Sequence, residues 1–189
     1  TGEDIYRIMK KSDIGSYGVL AIIFSVILKI GFIYYLFVLE RNNIYMFYLL
    51  LAFMPVFGKW SMFYILSFYK PVKKESLSGL FESKDSKKRF LWVTILMAFL
   101  FISLIFLLDV FLNGNYPFAF DFSMAYYLIL AIPILKGLVI FLITYLILTM
   151  FGRFFTSRIG GSNGDIAGAT SQIIENFYLL ITIFLFTFF

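Results

Sequence analysis

Residues 160–189 read GGSNGDIAGATSQIIENFYLLITIFLFTFF, and this stretch decides the fold. From Phe177 onward it holds no charged residue. With the residues from Gly168 it makes an apolar run of about 20 residues, the length that crosses a bilayer as a helix. Its opening is different: a glycine-rich turn with one carboxylate, Asp165, followed by Gln172 and Glu175. Ionisable groups at the mouth of a membrane helix cost free energy unless they are used or paired. At 100° per residue, Gln172 lies about 20° from Asp165 and Glu175 about 80° from it. Gly168 falls on the same side, where its missing side chain lets a ligand or another backbone approach. The pattern predicts a cation or phosphate site at a membrane surface. The competing reading is an ordinary helix start, with Asn163 or Asp165 as cap and Gly160 and Gly161 making the turn.

The rest of the chain has the same character. It is 61% hydrophobic and 14% charged, against about 45–50% and about 25% in a typical soluble chain. Lipid offers backbone groups no partners, so such a chain crosses as helices. The expected fold is therefore all-α and polytopic, a single transmembrane domain over residues 1–189. Five runs are long enough to span: 17–39, 44–69 (with Pro55 and Gly58), 90–112, 123–151 (with Pro133) and 168–189. There is no cysteine and no histidine, which excludes thiolate chemistry, imidazole acid–base chemistry and a Cys/His zinc site. A metal here would take oxygen ligands, which favours Mg²⁺, Ca²⁺ or Mn²⁺.

Lys and Arg in the loops predict the orientation. The N-terminal segment and the loops after the second and fourth spans carry twelve, and the opposite side carries Arg41 alone. The positive-inside rule places those three segments in the cytoplasm, in a multi-pass protein of the cell membrane. The net charge of +5 reads as topology, not as nucleic-acid binding. The Asp165 segment, the N-terminal segment and the basic loop are then expected to face one compartment.

Other polar groups cluster on that side. Residues 7–18 carry Lys10, Ser12, Gly15, Ser16 and Gly18 just before a span. Amides at a helix start and nearby lysines favour anions, so a phosphate cradle is one reading; a solvated end with Ser16 as N-cap is the other. Three lysines lie inside spans: Lys29, Lys59 and Lys136. An intramembrane charge is a functional-site hypothesis. Lys59 follows the Pro55-Val56-Phe57-Gly58 stretch, where a helix break would open a polar cavity. It also lies roughly 15 Å from the end of its span, too deep for easy snorkelling. Lys29 and Lys136 receive no role at this point. Lys70, Lys73 and Lys74, around Pro71, are candidate phosphate contacts.

Taken together, these segments resemble the cobalamin-5′-phosphate synthases, also called adenosylcobinamide-GDP ribazoletransferases. Arg7 to Leu20 followed by Lys29 looks like that family's I-M-K-D-S-R-I-G-S-Y-G-V-L segment and its lysine. Pro55 to Trp60 is similar to its P-V-x-G-R-W element, and Gly160 to Glu175 to its closing G-G-x-x-G-D-x-x-G-A-x-x-E-x-x-E motif. Lys59 stands where the family has Arg, Gln172 where it has Glu, and Lys11 and Asp13 exchange its usual charges.

The resemblance implies a Mg²⁺-dependent membrane transferase. It would join adenosylcobinamide-GDP to α-ribazole or its 5′-phosphate and release GMP, in cobalamin biosynthesis. It implies phosphate or substrate contacts at Lys10, Ser12, Gly15, Ser16, Gly18 and Lys59, and metal contacts at Asp165, Gln172 and Glu175. No catalytic residue is assigned. The family's D-G-x-x-D-x-x-D-G segment is expected upstream of Thr1, together with one or more membrane helices. Two other functions fit parts of the pattern. The intramembrane lysines and prolines would suit a small-molecule transporter. The one-sided polar motifs would suit another membrane phosphotransferase using nucleotide-activated alcohols.

Overall fold

A computed structural model describes residues 15–72, 79, 85–112 and 124–188. It contains five long helices: α1 (Ser16–Leu39), α2 (Ile44–Phe68), α3 (Ser86–Leu112), α4 (Met124–Ile159) and α5 (Gly164–Phe188). Each contains a stretch long and apolar enough to cross a membrane. The chain is thus an all-α, multi-pass membrane protein, as its composition requires.

The helix limits follow local chemistry. Asn163 caps α5 by accepting the Ile166 amide at 2.7 Å, so the helix starts at Gly164 rather than at 168. The helix α4 runs on to Ile159, past the expected end at 151. The Thr156 hydroxyl there folds back on the Gly152 carbonyl at 2.6 Å, which lets a polar residue stay helical in an apolar setting. Gly160, at φ +84°, then ends α4, and its amide closes onto the Thr156 carbonyl at 2.9 Å. Gly15, not Ser16, is the N-cap of α1; Ser16 is already helical.

One expectation about α2 is overturned. The Pro55–Gly58 stretch does not break the helix, which is continuous through it. Pro55 has no amide to give to the preceding turn. Just before the proline, the Tyr178 hydroxyl of α5 donates to the Leu50 carbonyl at 2.9 Å and ties α5 to α2. Tyr178 also stacks on Phe57, with ring centroids 4.5 Å apart. The helix break expected to open a cavity beside Lys59 is therefore absent, and aromatic contacts from α5 pack against this stretch.

The helix α5 is the hub. It packs against α2, α1 and α4, while α3 lies against α2 and α4. The core between them is largely aromatic: Phe57, Trp60, Phe90, Phe101 and Tyr178 are all buried. The Trp60 indole donates to the Thr94 hydroxyl at 2.9 Å, tying α2 to α3. By contrast α1 is peripheral, with Leu36 its only buried residue. Rings and small residues dominate these contacts because lipid gives helices no hydrophobic reason to associate; close packing must do it.

Loops dock as well as connect. The Ser162 amide donates to the Lys70 carbonyl at 2.7 Å, and the Val72 amide to the Ser162 carbonyl at 3.0 Å. The Ser162 hydroxyl donates to the Tyr69 carbonyl at 3.0 Å. The glycine-rich turn is thereby clasped to the segment that leaves α2. A Cβ on Gly161 would stand 2.6 Å from the Lys70 carbonyl oxygen, so only glycine fits there. At the other end of the bundle, burial raises the half-buried Glu40 carboxyl above its usual range; Lys136 pulls it back and Asp109 pushes it up.

Candidate functional site

Lys29 of α1 reaches α5 and makes the site's central contact. Its ammonium lies 2.5 Å from Glu175 Oε2 and 2.7 Å from Gln172 Oε1. The Ser171 hydroxyl donates to Glu175 Oε1 at 3.4 Å, and the Asn176 amide group donates to Ser25 at 2.9 Å. Opposite, on α2, a Cβ on Gly58 would collide with the Glu175 carboxylate and stand 2.8 Å from the Ser171 hydroxyl. Three helices therefore meet at Glu175: α1 brings the cation, α5 the carboxylate, and α2 the glycine that makes room.

The physical reason is the cost of charge. Glu175 is about one-tenth exposed, its side chain 10% and that of Lys29 19%. An unpaired carboxylate at that depth would be several kcal/mol out of place; a contacting ammonium and further polar partners hold it there. Lysine side chains lean toward the start of their helix. This lets Lys29 meet Gln172 and Glu175 while Ser25, earlier on α1, meets Asn176. The sequence flagged Lys29 as deep but gave it no role; its partner, 146 positions away, is a tertiary fact.

The proposed metal contacts separate. Asp165 and Glu175 are ten residues apart on one helix, about 15 Å of rise. A single ion with ligands at about 2.1 Å cannot touch both. Gln172 directs its carbonyl oxygen to Lys29, so what it presents outward is a donor amide. Among the described residues no three acidic side chains gather into a cation site. Those residues do not by themselves fit a Mg²⁺ cage. Asp165 is exposed in the first turn of α5, and the capping role falls to Asn163.

The phosphate candidates are spread more widely. Lys10 and Ser12 lie outside the described residues, as do Lys73 and Lys74. Gly15, Ser16 and Gly18 form the exposed first turn of α1, where the Gly18 amide is already bonded to the Gly15 carbonyl at 2.8 Å. Lys59 is exposed on α2, where its ammonium lies 3.9 Å from the Met62 sulfur. The helix starts at Gly15 and Gly164 and the Lys70–Val72 segment do share one end of the bundle. Beyond the Lys29–Glu175 contact, Gly31 and Tyr35 of α1 share a cavity with Ile183 of α5, so the two helices run parallel, and the clasp joins 70–72 to Ser162.

Fold and site together define a helical integral membrane protein with its glycine-rich helix starts at one end and an ion pair within the membrane-spanning part. The chain belongs to the cobalamin-5-phosphate synthase family, whose model matches residues 1–183. It is 28% identical over 181 residues to the adenosylcobinamide-GDP ribazoletransferase of Clostridium tetani, covering 95% of this chain and 58% of that protein. It is 30% identical over 185 residues to the protein of the same name from Thermosipho africanus, covering 96% and 60%. A third relative of that name, from Clostridioides difficile, is 26% identical over 190 residues, covering 99% of this chain and 64% of its own length. The chain thus spans about three-fifths of the curated relatives it matches. No solved structure matches it.

Proposed function

We propose that this chain is part of a membrane transferase that joins adenosylcobinamide-GDP to α-ribazole or its 5′-phosphate, releasing GMP. The observation that carries this reading is the family match over nearly the whole chain. A hydroxyl oxygen of the ribazole attacks the phosphorus on the cobinamide side of the diphosphate. The new O–P bond forms, the P–O bond to GMP breaks, and the hydroxyl proton leaves to solvent or a base. Such a reaction needs positioning and neutralised phosphate charge more than a covalent intermediate. The absence of Cys and His is compatible with that.

The residues would act from one end of the bundle. The exposed start of α1 offers the Ser16 and Tyr17 amides to phosphate, with Lys10, Ser12 and Lys59 as further contacts of the family pattern. By the distribution of Lys and Arg, this end faces the cytoplasm, where nucleotide-activated substrates reside. Mg²⁺ is the cation this chemistry would use, and Asp165 is the exposed carboxylate placed to contribute to it. Glu175 and Gln172 serve through Lys29, by holding α1 to α5 beneath the site.

The test is GMP release by the purified full chain from adenosylcobinamide-GDP, with and without α-ribazole 5′-phosphate. Acceptor-dependent GMP release is expected. Release from a CDP-activated lipid in its place would establish the other phosphotransferase, and substrate uptake into vesicles without GMP release would establish a transporter. The transporter reading loses its main support, since Pro55 leaves α2 unbroken and Lys29 is paired.

A further inference from the structure

Between the C-terminal ends of α2 and α4 lies an open cavity of about 360 Å³, lined by Tyr69, Lys70, Arg153, Thr156, Ser157 and the Gly160–Gly161 turn. Lys70 and Arg153 are both exposed, and among the described residues neither has an ion-pair partner. Among the described residues no carboxylate lines the cavity. Three of the carbonyls beside the cavity are already engaged. Thr156 O accepts the Gly160 and Gly161 amides, and Lys70 O accepts the Ser162 amide. Tyr69 O accepts the Ser162 hydroxyl. The clasp also fixes the floor, since Gly161 is held against the Lys70 backbone.

Two cations on one wall, with no carboxylate among its described residues, favour a dianion. A phosphomonoester carries close to two negative charges at neutral pH. A guanidinium grips its oxygens as a fork while an ammonium adds a point charge. The volume is at the lower end for small-molecule pockets, which suits a sugar phosphate. We propose that Lys70 and Arg153 bind the non-reacting phosphomonoester of the acceptor, so that this pocket selects the phosphorylated ribazole over the free nucleoside. The inference rests on the transferase reading and on a family description that names a 5-phosphate product. The headgroup phosphate of an anionic lipid, a diester with one negative charge, would meet the same cations less strongly and is the rival source.

The test compares α-ribazole with its 5′-phosphate as acceptors, in nanodiscs of phosphatidylcholine and in nanodiscs containing phosphatidylglycerol. Lys70→Ala and Arg153→Ala should each raise the ratio of KM for the phosphate acceptor to KM for the nucleoside about tenfold, with kcat little changed. That is the loss of one charge-assisted hydrogen bond. Arg153→Lys should recover part of the loss. Arg158→Ala is the control, since that guanidinium lies over the Phe154 ring outside the pocket. An unchanged ratio would overturn the proposal. So would an effect that appears with both acceptors and only in the anionic nanodiscs, which would assign the pocket to lipid. Equilibrium binding of the two acceptors, by calorimetry, reads the same preference without turnover. A wild-type protein that releases no GMP would therefore sink the transferase reading while the binding ratio still decides this one.

Discussion

Lys29 lies about 20 Å of helix rise beyond the start of α1, and its contact with Glu175 sets the terms for substitutions at either position. Lys29→Met leaves a carboxylate buried without a cation, a change that costs about 3–5 kcal/mol. The double variant Lys29→Met/Glu175→Gln removes both charges and should regain most of that stability. Thermal unfolding in detergent checks both; equal destabilisation of the single and double variants would show that packing, not charge, governs the site. Asp165 behaves differently because it is exposed and is not the helix cap. Asp165→Asn should leave folding intact and lower GMP release by orders of magnitude, as expected when charge is lost near a reacting phosphate. Near-normal turnover of that variant at limiting Mg²⁺ would remove Asp165 from the site.

At the scale of elements, the clasp between the glycine-rich turn and the segment after α2 is the contact most sensitive to one atom. Gly161→Ala puts a methyl against the Lys70 carbonyl, and should destabilise by about 1–3 kcal/mol through forced displacement. It should also weaken binding at the Lys70–Arg153 pocket. Gly164→Ala meets open space and is the matched control for the melting temperature. The α1–α2 turn carries a pH dependence. The Glu40 carboxyl titrates above its ordinary value of 4.5 because it is half-buried, with Lys136 opposing and Asp109 reinforcing the shift. The folded chain therefore holds that proton longer than the unfolded one. Its contribution to stability is full below the ordinary value and lost as pH rises through the raised one. Glu40→Gln should flatten this part of the stability profile, measured by unfolding from mildly acidic to neutral pH.

For the whole molecule, the parallel setting of α1 and α5 and the clasp put the start of α1, residues 70–72 and the 152–167 region at one end. Cysteines introduced at Ser83 and Asn115 should be labelled from opposite sides of the membrane, Ser83 from the cytoplasm; labelling of both from one side would refute the topology. The number of spans was legible in the sequence because lipid leaves a chain this apolar no other way to satisfy its backbone. The gathering of the glycine motifs at one end was legible too, since alternating spans and loop charge require it. The continuity of α2 through Pro55 was not legible: the contacts packed around that stretch, among them the Tyr178 ring stacked on Phe57, come from another helix. The same limit applied to Asp165, Gln172 and Glu175. Their angles about the helix axis looked like one site, but the angle omits the rise, which parts Asp165 from Glu175 by about 15 Å. Periodicity and charge are properties of single segments, so the sequence by itself determined the helices, the spans, the approximate ends of each and their shared polar side. Pairing is a property of segments in contact, and only the tertiary structure decided that Lys29 answers Glu175 and that Gly58 makes room for it. It alone also decided that Lys70 and Arg153 stand over one cavity.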